Sequence, residues 1–183
     1  MKKGFNLKKS QLIKILVDNT PIIILMGVVI VMRLLPHPPN FTPVIALGLF
    51  GVTIIQNRYL AFSLPLFIMF LSDIFIGFHS FMPFVYFSIF ISSMVGIWLQ
   101  RNFSEVNIIV GSFISATSFF LITNTAVWLT STMYPKTITG LLTCLNVAIP
   151  FYHNTIFSTM LYSAVLFLCV SALRKFKFIG QES

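Results

Sequence analysis

Acidic side chains are almost missing from this chain: four Asp and Glu stand among 183 residues, against twelve Lys and Arg. Asp18, Asp73, Glu105 and Glu182 are far apart, so no segment offers the paired carboxylates of general acid–base catalysis. Cysteine is scarce as well. Cys144 and Cys169 form neither a metal-ligand spacing nor a disulfide framework, and their apolar surroundings mark them as inert buried thiols. The HExxH, GxSxG and P-loop patterns are absent, so no enzyme, metal site or cofactor is expected, and any energy comes from an ion gradient or another subunit. Charge of either sign is short: 9% of residues are charged, where a soluble domain carries about 25%. Too little polar surface is left to wet a globule of this size.

What is present fits lipid. Hydrophobic residues make up 57% of the chain and Phe occurs 21 times, as suits a surface matched to hydrocarbon. A spanning helix takes about 20 apolar residues, so this length accommodates about six spans and no separate soluble domain. The fold class expected is therefore all-α, an integral membrane bundle of about six transmembrane helices. Its parts are a basic segment at 1–19, a transmembrane domain at 20–173 and a basic tail at 174–183.

The breaks fall at prolines and polar clusters. Leu12 to Val17 mixes Leu and Ile with Lys, as an interfacial helix does. The first span is read at Pro21 to Leu35, stopped by Pro36, Pro38 and Pro39. It is expected to be retained, because no small-residue cleavage site follows and Arg33 lies within it. A short second segment, Thr42 to Ile55, resembles the broken helices that line transporter sites. Further spans are expected at Leu60 to Gly77, Pro83 to Leu99, Ile108 to Leu129 and Asn154 to Leu173. Thr137 to Ile149 is short and polar for a span, so spanning, dipping into the bundle and lying in the interface all stay open, and it is expected to end at Pro150. Ser88, Ser92 and Gly96 share a four-residue spacing, with Gly111 and Ser115 on the next span. Such small residues let helices approach closely, within the bundle or against a partner.

Charge sets the orientation. Six spans place both tails on one side. With them go Lys2, Lys3, Lys8, Lys9, Lys14, Arg58, Arg101, Arg174, Lys175 and Lys177, leaving Arg33 and Lys136 on the other. Positive loops stay inside, so both termini are expected in the cytoplasm of a bacterial inner membrane. The basic excess then orients the chain, and nucleic acid is not expected as a partner.

The polar residues left over gather at the outer side. Arg33 and Asp73 sit near span ends, where a charge costs less than the ~2.5–3.5 kcal/mol of a span centre, and are expected to pair, line a pocket, or both. His37, Asn40, His79, Asn124, Trp128, Tyr134, Lys136, His153 and Asn154 complete the candidate substrate-binding set. The three histidines share no helical i, i+4 spacing, which argues against a metal site with Asp73, and none lies deep enough for haem. Trp128 and Tyr134 also suit the interfacial aromatic belt. Asn124 either bonds across helices or reads a ligand.

Several runs resemble a bacterial family of uncharacterised membrane proteins ascribed to transport. They are Arg33-Leu-Leu-Pro-His-Pro-Pro-Asn-Phe-Thr-Pro43, Leu71-Ser-Asp73 with Gly77-Phe-His79, and Phe120-Leu-Ile-Thr-Asn124 with Val127-Trp128. Met133-Tyr-Pro-Lys-Thr137 and Ile149-Pro-Phe-Tyr-His-Asn-Thr155 match too. That family is similar to the substrate-binding S components of energy-coupling factor transporters. The resemblance implies a six-helix fold, a pocket open to the outside, a small-molecule substrate such as a vitamin or precursor, and partners comprising a transmembrane coupling protein and ATPase subunits. Membrane lipid is the other expected partner. The Met-His start of the nickel and cobalt members is missing here. The expected function is substrate capture for uptake. The competing readings are a structural or assembly membrane protein without ligand, and a membrane enzyme acting on a lipid phosphate.

Overall fold

The computed structural model describes residues 27–54 and 58–179. The basic segment 1–19, the helix expected at Leu12 to Val17, the start of the first span at Pro21 and the last residues of the tail lie outside them.

The described residues form seven helices and no strand. Residues 27–34 form α1, and Pro36 to Pro39 then block helical continuation. The chain reverses at Asn40, whose φ of 62° is a left-handed value that Asn tolerates better than most side chains. α2 is Val44–Ile54 and α3 is Arg58–Ile76. Gly77, at φ 104°, stops α3 and donates its N–H to the Asp73 carbonyl at 2.8 Å. α4 (Met82–Arg101) carries Pro83 in its first turn, where a missing donor costs nothing. α5 is Glu105–Thr130, with Ser104 as N-cap accepting from the Asn107 N–H at 3.1 Å. α6 (Ile138–Val147) is capped the same way by Thr137. α7 runs Ile149–Ile179.

α2 occupies the centre. Every residue from Pro43 to Val52 is buried, and the helix packs against α3, α4, α5 and α7. The helix is apolar on every face, and protein covers it on every face. Its neighbours shield it, leaving their own Phe, Leu and Ile rings and chains outward: Phe67, Phe75, Phe87, Ile109 and Phe157 are all exposed. Leu47 joins a cluster with Val29, Ile68, Met69 and Ile89, while Leu49 and Phe50 join another with Leu99 and Ile108.

Small residues make this packing possible. A Cβ on Gly96 would collide with the Leu49 carbonyl, one on Gly48 would stand 3.2 Å from the Ile89 carbonyl oxygen, and one on Gly111 would touch the Leu49 side chain at 3.4 Å. The Ser88, Ser92, Gly96 stripe and Gly111 are therefore used within the bundle. Ser112 on α5 donates to or accepts from Ser163 on α7 at 2.9 Å, a second close helix contact.

The boundaries of the last two helices differ from expectation. Pro150 does not end α6. The chain turns at Ala148, whose N–H reaches the Cys144 and Leu145 carbonyls, and Pro150 lies in the first turn of α7, which tolerates its missing donor. The last helix accordingly starts at Ile149 and continues past Leu173 to Ile179, so the first part of the expected tail is helical. α3, α4 and α5 are each long and apolar enough to cross a membrane. α2 has 11 residues, which span roughly 16 Å at 1.5 Å each. It is too short to cross alone, as the sequence suggested.

Candidate functional site

The site is built where α1 and α3 end and α2 and α4 begin. Asp73 occupies the last turn of α3, where the helix dipole disfavours an anion. Three neighbours offset this. The Arg33 guanidinium, at the end of α1, donates from Nη2 to Asp73 Oδ1 at 2.9 Å. Its Nη1 donates to the Met69 carbonyl at 3.3 Å and to Ser72 Oγ. Ser72 passes its own proton back to the α3 backbone, to the Ile68 or Met69 carbonyl. The Tyr86 hydroxyl on α4 donates to Asp73 Oδ2 at 2.7 Å. Both carboxylate oxygens are thus engaged, and Asp73 is 1% exposed. An ion pair this deep persists only because its remaining groups are hydrogen-bonded.

Arg33 is the outward-facing member. It lines a cavity of about 380 Å³ together with His37, Asn40, Thr42 and His79 on the polar side. Val44, Ile45, Met69, Ile76, Val85, Ile89 and Phe119 form the rest of the wall. The loop that carries His37 and Asn40 is tied to α7: Asn154 Nδ2 donates to the Pro39 carbonyl and Ser158 Oγ to the Asn40 carbonyl, both at 3.2 Å. Phe41 stacks edge-on against Tyr162, with centroids 5.9 Å apart. His37 Nδ1 donates to the Pro38 carbonyl at 2.8 Å, which leaves Nε2 as its second polar atom.

The expected residues therefore divide. Arg33, His37, Asn40 and His79 line one cavity, with Asp73 behind Arg33. Asn154 positions the loop. His153 is exposed near the start of α7 and is not part of the cavity wall. The Asn124 side-chain amide turns to its own helix rather than across helices or into the cavity: Nδ2 donates to Phe120 O at 2.8 Å. Trp128, Tyr134 and Lys136 form a separate group around the end of α5. Trp128 Nε1 donates to the Pro135 carbonyl at 2.9 Å, and Lys136 Nζ donates to the Trp128 and Ser131 carbonyls. A cation on the last carbonyls of a helix is a C-terminal clasp. Tyr134 is half-buried in the same loop. Among the described residues, no three His, Cys, Asp or Glu side chains converge as a metal site would need.

Residues 14–180 match DUF6580, a family of unknown function. This chain belongs to that family. No curated protein and no solved structure matches it.

In this DUF6580 chain, sequence reading missed Tyr86, Thr42 and Phe119. Only Tyr86 left a signal, as the hydroxyl within the otherwise apolar run Phe84-Val-Tyr86-Phe87. Cys144 is buried, donates to the Asn124 carbonyl at 3.4 Å, and lies on α6, which is too short to cross; burial pushes its thiol above the ordinary value, in keeping with an inert role.

The clasp makes a prediction. Lys136→Ala is expected to lower stability by no more than about 1 kcal/mol, the size of one cation at a helix end. Ligand retention should be unchanged. A variant that unfolds like wild type but loses a bound small molecule would return Lys136 to the binding set.

Proposed function

We propose that this protein is a multi-pass membrane transport protein of the bacterial inner membrane, the substrate-capturing subunit for uptake of a small molecule. In this reading the first span, expected at Pro21 to Leu35 and ending in α1, crosses the bilayer with α3, α4, α5 and α7, α2 is the sixth, short segment inside the bundle, and both termini are cytoplasmic. The cavity then faces outward. Energy comes from partners, a transmembrane coupling protein and ATPase subunits, as the resemblance to S components implies.

The observation that carries this reading is the cavity with Arg33 presented into it. Holding a cation by a buried carboxylate, a serine and a tyrosine at a bundle end is a construction that packing alone does not require. A ligand site does require it, because a preorganised donor loses little entropy on binding. The lipid-phosphate enzyme lacks support: Asp73, the single acidic residue expected on that side, has both oxygens occupied and stands behind Arg33. The contact of Gly96 on α4 with Leu49 on α2 supports the capture reading over the scaffold reading, since this small-residue position is used within the bundle.

The test is native mass spectrometry of the full chain purified in mild detergent, beside Arg33→Ala and Val85→Trp, which fills the cavity from a half-buried wall position. Wild type is expected to retain one small molecule that both variants lose. A wild type that stays empty, and that co-purifies with a membrane protein but with no ATPase subunit, would instead favour the scaffold reading.

A further inference from the structure

Given the capture reading, the cavity's chemistry narrows the substrate class. We infer that the site takes a compact organic monoanion, a carboxylate on an apolar body about two rings in size, with the carboxylate on Arg33.

The donor count comes first. A guanidinium carries five N–H donors. Met69 O, Ser72 Oγ and Asp73 Oδ1 take three of them, which leaves two for a ligand with two acceptor oxygens. Asp73 cannot compete, because Arg33 and Tyr86 hold both its oxygens.

Charge comes second. The Arg33–Asp73 pair sums to zero, and among the described residues the cavity wall contains no other Lys, Arg, Asp or Glu. One negative charge is served by the spare guanidinium donors and by the first turn of α2, where Val44 and Ile45 join the wall and the helix dipole is positive. A second negative charge would have only the His37 and His79 imidazoles to meet it, and His37 already spends Nδ1 on the Pro38 carbonyl, so a phosphate dianion is the poorer fit. A cationic ligand would meet Arg33 with no free carboxylate to offset it.

Shape comes third. Ile45, Ile76, Val85, Ile89 and Phe119 offer an apolar bed that a bare inorganic ion would not use. A dry cavity of roughly 150 Å³ accepts benzene. At about 380 Å³ this one holds a body of some two rings together with its carboxylate. His37, Asn40, Thr42 and His79 stand at the polar side to orient that group.

The experiment uses the full chain in phosphatidylcholine nanodiscs, with thermal unfolding as readout and three probes: 2-naphthoate, its neutral isostere 2-naphthamide, and 2-naphthyl phosphate. Discs containing phosphatidylglycerol test whether the anion is a lipid headgroup. The small molecule retained by wild type is recovered by denaturation and its charge class read by mass spectrometry. Naphthoate is expected to bind at least about tenfold more tightly than the amide or the phosphate, as a charge-assisted bidentate contact would give. That preference should vanish in Arg33→Gln/Asp73→Asn, in which no buried charge is left unpaired. Recovery of a carboxylic acid supports the inference. Equal binding of acid and amide, preference for the phosphate, protection by phosphatidylglycerol alone, or recovery of a neutral or cationic molecule overturns it. In those cases a molecule displaced by Val85→Trp still leaves the capture reading standing. A wild type that retains nothing and responds to no probe overturns both.

Discussion

Asp73→Ala is expected to destabilise the protein by about 3–5 kcal/mol, the range for breaking a buried pair by removing one partner. The variant leaves the Arg33 guanidinium with an unpaired charge whose side chain is 13% exposed, and leaves the Tyr86 hydroxyl without its acceptor. In a chain of this length that loss corresponds to a fall in unfolding midpoint on the order of 10 °C. Asp73→Asn keeps an acceptor for Tyr86 and should cost less. Arg33→Met/Asp73→Leu should recover most of the loss, because replacing both members of a buried pair by apolar groups is often neutral. Ligand retention should separate from stability in this series: the double variant folds yet has no guanidinium in the cavity. Thermal unfolding and native mass spectrometry on the same samples read both quantities. An Asp73→Ala protein within about 0.5 kcal/mol of wild type would show that the pair is solvated and that the cavity does not depend on it.

The pair was legible because cost is legible. Two opposite charges near the ends of apolar segments have few ways to be tolerated, so depth alone suggested that Arg33 and Asp73 meet. Their supporting partners were not legible, since Ser72 and Tyr86 are ordinary residues in a helix until a neighbouring helix is placed beside them. The same limit explains Trp128 and Lys136. A lysine after a span reads as a free cation by residue type, and only the turn Ser131 to Thr137 brings its Nζ onto the carbonyls of α5. Asn124 looked like a cross-helix contact because amides often are, but the backbone carbonyl one turn back is always within reach and here takes the bond. Helix ends were readable at Pro36 to Pro39 and at Gly77, whereas the Ser104 cap, ahead of the expected start at Ile108, went unread. They were not readable at Pro150, where a proline fits the start of one helix as well as the end of another. The central position of α2 was hidden for a related reason. A segment apolar on every face carries no periodicity, so its length could be judged and its surroundings could not.

That central position makes Gly96 the second site of large effect. Between helices in lipid there is little hydrophobic drive, because hydrocarbon tails are as apolar as the side chains they would replace. The α2–α4 contact therefore depends on fit. A Cβ at Gly96 meets the Leu49 carbonyl, a backbone group that cannot swing aside as a side chain can. Gly96→Ala is expected to cost about 1–3 kcal/mol, as overpacking does, and Gly96→Val to prevent recovery of folded protein. Gly48→Ala, 3.2 Å from the Ile89 carbonyl oxygen, should fall between Gly96→Ala and Gly111→Ala, which meets a leucine methyl at 3.4 Å. Gly27→Ala, with open space around it, should be neutral or stabilising by up to about 1 kcal/mol through helix propensity. The order matters for function as well. Val44 and Ile45 on α2 and Val85 and Ile89 on α4 all line the cavity, so pushing the two helices apart at Gly96 is expected to change its shape. Gly96→Ala should weaken ligand retention along with stability, whereas Gly27→Ala should leave both intact. Unfolding midpoints for the four alanine variants decide the matter: if Gly96→Ala matches Gly27→Ala, α2 is not held against α4 as described, and the cavity between them is not fixed by this contact.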